Sequence, residues 1–223
     1  MINEKIEDLQ NGYFIIQNPS LFCFGVDAVL LSDFVKAKEG DKVLDLGCGN
    51  GIIPLLLYAK TPLNITGVEI QKESVDLARR SIKLNKLDDK IRIINGDIKQ
   101  IKDFLKGKKF DIVVSNPPYI NFGGGILNES KSLAIARHEV LCTLSDIANA
   151  AAYTLNHLGV LYLIHRPHRI VDIITTLRQY KLEPKVIRYV HPYVDKEATM
   201  VLISATKGGR EMCKVLPPVL MYN

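Results

Sequence analysis

The chain has 223 residues, 47% of them hydrophobic and 24% charged, enough for one well-cored domain with a small extension and too short for two independent enzymatic domains. Its net charge of +5 leans toward an anionic partner. Cys23, Cys48, Cys142 and Cys213 form no Cys-x-x-Cys pair, which argues against a zinc knuckle or a disulfide framework, and a charged N-terminus with no long apolar run predicts a cytoplasmic protein with neither a signal nor a membrane-spanning segment.

In chain order, residues 13–17 alternate like a short strand, Asn18-Pro19 breaks the run, and 26–35 reads as a helix with Ala28, Leu31 and Val35 inward. Residues 1–40 are thus expected as an N-terminal extension packed on a domain spanning 41–223. From Lys42 onward, strands predicted at 42–46, 64–69, 91–95, 110–115, 159–164, 185–190 and 198–205 alternate with helical patterns. That is the signature of a mostly parallel α/β sheet with helices on both faces. One helical stripe runs through Leu141, Leu144, Ala148, Ala151, Leu155 and Leu158 to a stop at Gly159, with Thr143 and Asp146 as a capping box. A second stripe, Ile170, Ile173, Ile174 and Leu177, follows Pro167. The link between the last two strands holds Pro192 and Asp195 and is too short for a helical crossover, so the final strand should enter antiparallel. The glycine-rich stretch from about residue 120 to 140 reads as a long functional loop.

The first of these strands runs into Asp45-Leu46-Gly47-Cys48-Gly49-Asn50-Gly51 and then a helix. Glycines there allow a tight turn and close backbone approach to a ligand, which nominates Gly47, Gly49 and Asn50. Asp45 would repel a pyrophosphate but suits an ammonium group, favouring S-adenosylmethionine over a nicotinamide dinucleotide. Glu69 ends the second strand where a carboxylate can accept ribose hydroxyls, and Ile70 can cover an adenine face. Asp97 follows the third strand and can accept from an adenine amino group, with Ile98 against the ring. Each carboxylate has a purely structural alternative: Glu69 can cap the helix near Lys72, and Asp97 is a good N-cap. The fourth strand ends in Asn116-Pro117-Pro118-Tyr119. Asn116 and the Pro117 carbonyl offer two acceptors for an amine, and Tyr119 offers a flat stacking face; a rigid strand-ending turn is the alternative. Asp45, Glu69, Asp97 and Asn116 fall at the carboxyl ends of four successive strands, the edge where doubly wound sheets bind ligands.

On these residues the chain resembles class I S-adenosylmethionine-dependent methyltransferases, and the Asn-Pro-Pro-Tyr tetrad is similar to the amino-methyltransferase motif of that superfamily. The resemblance implies a Rossmann-like sheet of seven strands. A narrower resemblance, carried by residues 22–31, by Ala136-Arg137-His138-Glu139, by Arg166 with Arg169, and by Leu216-Pro217-Pro218 with Tyr222, is to bacterial tRNA1(Val) adenine N6-methyltransferases. It implies S-adenosyl-L-methionine as cofactor, a tRNA adenosine just 3′ of the anticodon as target, and no obligate protein partner. Asn116, Pro117 and Tyr119 would be the catalytic residues. Asn116 would also border the cofactor, and Phe24 and Asp27 would help close its pocket, although core packing and helix capping explain the last two equally well. RNA contact falls to Arg137, Arg166, Arg169 and Arg188, with Lys131, His168 and the run Lys106, Lys108 and Lys109 beside them. The competing readings are an rRNA guanine-N2 methyltransferase, a protein glutamine methyltransferase and a non-catalytic RNA-binding module. His165-Arg-Pro-His168 has ligand-like spacing, but Pro167 interrupts it and no further ligand completes a metal site.

Overall fold

The computed structural model describes residues 4–21, 24–118 and 142–222. Phe22, Tyr119, Lys131, Arg137 and Leu141 lie outside the described residues, as does the 120–140 stretch. The chain opens with a hairpin of β1 (Lys5–Asp8) and β2 (Phe14–Gln17), followed by helix α1 (Val26–Phe34). The main sheet then takes β3 (Lys42–Leu46), β4 (Asn64–Glu69), β5 (Ile91–Asn95), β6 (Phe110–Ser115), β7 (Leu155–His165), β8 (Leu182–His191) and β9 (Met200–Lys207). Their spatial order is β8-β9-β7-β6-β3-β4-β5. Pairing is parallel except for β9, which runs antiparallel between β7 and β8. The carboxyl ends of β3 to β8 therefore share one edge.

Successive side chains of a strand point to opposite faces, and because both faces are covered they enter two apolar clusters in turn. In β3, Val43 joins one apolar cluster and Leu44 and Leu46 the other. In β7, Tyr162 and Ile164 face the first and Leu161 and Leu163 the second. Residues from α1, α2 (Ile52–Lys60) and α3 (Lys72–Leu84) fill the first cluster. Those from α4 (Ile101–Phe104), α5 (Leu144–Thr154) and α6 (Ile170–Gln179) fill the second. Leu44, Leu55, Leu155 and Ile164 are fully buried, each stabilising by about 1.5–3 kcal/mol relative to exposure. Ile15, Ala28 and Leu31 belong to the first cluster too. The hairpin is pinned to α3, where the Ile16 N–H donates to Ser81 Oγ at 2.9 Å and Arg80 pairs with both carboxylate oxygens of Glu4 at 2.7 Å.

The helix expected to reach Leu158 ends instead at Thr154, after the expected Thr143–Asp146 capping box has opened it. Leu155 already pairs with Phe110, and Val160 pairs with Ile112, so residues 156–159 stand against Asp111 alone. Leu158 takes a left-handed φ of 61° and is 59% exposed. Burying Leu155 in the sheet outweighs the helical period here. Two short strands also extend the expected seven. β10 (Lys214–Val215) and β11 (Val219–Leu220) pair in parallel along the outer edge of β8. Among the described residues, no helix is long and apolar enough to cross a membrane.

Candidate active site

The glycine turn lies against the end of β4. The N–H groups of Gly47 and Cys48 both donate to the Val68 carbonyl, at 2.9 and 3.1 Å, and the Gly49 N–H donates to Glu69 Oε2 at 3.0 Å. Gly51, the N-cap of α2, has φ +87°, and a Cβ there would sit a tight 3.2 Å from Ala78 Cβ, so the left-handed conformation favours glycine. Neighbouring strand ends are tied together by side chains. Ser115 Oγ donates to the Leu46 carbonyl at 2.9 Å, and Asn95 Nδ2 donates to the Glu69 and Ile70 carbonyls at 2.9 and 3.0 Å. Neither residue carries a signal in the sequence, because each acts through a backbone carbonyl on another strand.

Asp45 has no exposure, and neither of its carboxylate oxygens has a hydrogen-bond partner among the described residues. Burial, and then the charge of Glu69, push its carboxyl well above the usual aspartate range. Asn50 is also buried, with Nδ2 unpartnered among the described residues. Buried polar atoms are nearly always paired, so an orphan acceptor and an orphan donor in one turn suit a ligand with a cationic and an anionic end. Glu69 is buried; besides Gly49, it accepts from the Gln71 N–H at 2.8 Å, which leaves each oxygen a second lone pair. Asp97 caps the short 3-10 turn Ile98–Gln100, accepting from the Lys99 N–H at 2.9 Å. Ile70 is 38% exposed beside Glu69, and Ile98 is half-buried. Burial and both carboxylates also raise the Cys48 thiol, which keeps it protonated and unreactive.

At the end of β6, Asn116 is half-buried and Pro117 buried. Asn116 Nδ2 donates to Asp27 Oδ2 on α1 at 3.0 Å, which joins Asp27 to the tetrad. Phe24 is half-buried and packs against the first cluster. A cavity of about 130 Å³ opens beside Pro117 and Pro118, lined also by Cys142, Thr143, Leu144, Ile147, His165 and Arg169. His165, read from the sequence only for its spacing to His168, is buried at the end of β7 and accepts from the Arg166 N–H through Nδ1 at 2.8 Å. Burial first, and then the Arg169 charge, lower it to about 4, so the imidazole is neutral at pH 7 with its proton on Nε2.

Of the arginines expected at RNA, Arg169 lines this cavity and pairs with Asp172 at 2.8 Å. Arg166 donates to the Thr199 carbonyl at 3.1 Å. Arg188 lies farther along the sheet in β8 and donates to the Pro217 carbonyl at 3.0 Å. Among the described residues, no group of three metal-ligating side chains converges.

The family model of the methyltransferase small domain matches residues 13–177. A protein of Histophilus somni named tRNA1(Val) (adenine(37)-N6)-methyltransferase is 32% identical over 163 residues, covering 72% of this chain and 68% of the relative. A Phocaeicola vulgatus protein of the same name is 27% identical over 191 residues, covering 86% and 79%. In the Trichodesmium erythraeum relative, 31% identical over 144 residues, the match spans 59% of its length. Among solved structures, a predicted O-methyltransferase of Agrobacterium tumefaciens superposes with a TM-score of 0.69 at 23% identity, covering 87% of each chain. A 16S rRNA N2 methyltransferase of T. thermophilus reaches 0.63 at 23% identity, covering 87% of this chain and 47% of that one. These two likenesses establish the fold.

Proposed function

The chain belongs to the methyltransferase small domain family, and on that premise we propose that it methylates the exocyclic N6 amine of an adenosine in tRNA, at position 37 next to the anticodon of tRNA1(Val). S-adenosyl-L-methionine supplies the methyl group, activated on a sulfonium. The observation that carries this reading is the row of Asp45, Glu69, Asp97 and Asn116 along one sheet edge, with a cavity opening beside Pro117. The names of the Histophilus and Phocaeicola relatives supply the target.

In this reading Asp45 holds the cofactor's ammonium, Asn50 Nδ2 its carboxylate, and the Gly47 to Gly49 backbone lies against the methionine moiety. Glu69 accepts from the ribose hydroxyls with its remaining lone pairs, Asp97 from the adenine amino group, and Ile70 and Ile98 cover the ring. Asn116 Oδ1 and the Pro117 carbonyl accept one hydrogen each from the target amine, turning its lone pair toward the methyl carbon, and Tyr119 stacks on the base. Bound there, the cofactor would offer that nitrogen an activated methyl group and a neutral thioether as leaving group, and the surplus proton would pass to solvent. The adenosine leaves its stack to reach the site, and Arg166, Arg169, Arg188 and Arg137 contact the phosphates. The proposed setting is the cytoplasm, with tRNA as the partner and no obligate protein partner.

Recombinant protein incubated with S-adenosylmethionine and a tRNA1(Val) transcript is expected to yield N6-methyladenosine at position 37, located by mass spectrometry. Asn116→Ala should lower the single-turnover rate by about 10² to 10³ while leaving cofactor affinity within a few-fold. A transcript with guanosine at that position should stay unmodified. Methylation of the guanosine would move the assignment to a guanine enzyme.

A further inference from the structure

Asn116 has an amide whose two ends are nearly the same size and opposite in character. Only one orientation serves an amine substrate: with Oδ1 toward the site it accepts an amine hydrogen, whereas with Nδ2 there it would donate to the lone pair that must attack. The chain holds a device for choosing between them. Asp27, 89 positions earlier, sits in the first turn of α1, and its Oδ2 accepts from Asn116 Nδ2 at 3.0 Å while its Oδ1 accepts from the Ala28 N–H at 3.0 Å. A carboxylate can only accept, so a flipped Asn116 would set its carbonyl oxygen against another oxygen and lose a charge-assisted bond.

A second, independent feature keeps the Asp27 carboxylate in place. Gly25, the N-cap of α1, has φ −113°, a conformation open to any residue, so its backbone does not require glycine. A Cβ at Gly25, however, would lie 2.9 Å from Asp27 Oδ1. The missing side chain is the space into which the carboxylate folds back.

We propose that Asp27 is a positioning residue that fixes the amide orientation of Asn116, and that Gly25 provides the space its carboxylate needs. The inference rests on the amine-methylation reading for its consequence, but the bond itself is testable without it. Asp27→Ala and Gly25→Ala remove or displace the acceptor. Each should lower kcat at saturating cofactor roughly 10-fold or more, inside the ~10² that a misplaced reactive group costs, with the S-adenosylmethionine Kd from calorimetry changed less than about 2-fold. Asp27→Asn keeps the shape but offers one acceptor oxygen to two donors, the Ala28 N–H and Asn116 Nδ2, so it should lower kcat as well. In parallel, the Asn116 side-chain amide protons, followed by nitrogen-15 NMR of the free protein, should shift and exchange faster in both alanine variants and shift in Asp27→Asn. If Asp27→Ala fails to fold, Gly25→Ala and Asp27→Asn give the answer by the same readouts. A cofactor Kd rising in step with the loss of rate would overturn the proposal and make Asp27 a cofactor ligand. Unchanged Asn116 resonances would overturn it too, and they do so even if the wild-type protein methylates no tRNA, which is the separate failure of the proposed function.

Discussion

Asp45 holds a fully buried carboxyl group whose oxygens have no hydrogen-bond donor among the described residues, an arrangement that works against folding and makes sense where binding is selected over stability. Its carboxyl lies well above the ordinary value of 3.8, from burial and then Glu69. The native state therefore keeps the Asp45 proton where the unfolded chain releases it, and this group's contribution makes stability fall as pH rises from 3.8 toward the folded value. Asp45→Asn removes that penalty. The free variant should melt higher than wild type at pH 7 by roughly 2–4 °C per kcal/mol relieved, the gap closing below pH 4, while its affinity for S-adenosylmethionine drops at least 10-fold. Calorimetric scans at pH 4 and pH 7, each with and without cofactor, check both halves. An Asp45→Asn protein that melts lower and binds as well would place the ammonium elsewhere.

At the level of elements, the glycine turn depends on a residue outside it. Gly67 in β4 lies beneath Cys48: a Cβ there would come within 2.7 Å of both Cys48 Sγ and Ile93 Cδ1. Gly67→Ala should destabilise the protein by about 1–3 kcal/mol through overpacking and weaken cofactor binding by lifting the turn. Adding Cys48→Ala removes the sulfur, so the double variant should be more stable than the two single losses added together. Strictly additive melting shifts would show that the clash is not with Cys48. The strands flanking this turn were legible in the sequence. The expected bounds of β3, β4, β5 and β6 match the structure because each is an apolar run closed by glycine, acid or proline. Hydrophobic period alone misassigned residues 155–158, where Leu155 satisfies a helix stripe and a sheet interior equally well. The strands at 5–8, 214–215 and 219–220 escaped because they pair through backbone at edges and bury little. In the site, the strand-end residues could be listed from the sequence since topology alone aligns them. The Asp27–Asn116 bond could not, since no local pattern links two positions 89 apart.

Across the whole molecule, the C-terminal segment guards the sheet's outer edge. β10 and β11 pair with β8, and the Leu216 and Met221 N–H groups donate to the Ile187 and His191 carbonyls, each at 2.9 Å. Ending the chain after Gly209 would bare the strand from Val186 to His191, and uncovered edges recruit other strands. Such a truncation should self-associate in light scattering and melt lower, yet retain cofactor affinity, because Asp45, Glu69 and Asp97 lie on β3, on β4 and just past β5, toward the opposite end of the sheet. A monodisperse truncated protein melting like wild type would show that the edge needs no cover.

The attachment of the N-terminal elements has a consequence for synthesis on the ribosome. Ile16 waits for Ser81, 65 residues later, and Asp27 for Asn116, 89 residues later. At roughly 5–20 residues per second, the hairpin and α1 emerge about 3–18 s before the groups that hold them, with Ile15 and Leu31 still without the core that buries them. The part of the chain made first is thus among the last to lock, and nascent chains halted before Asn116 should carry an N-terminus open to chaperones and proteases.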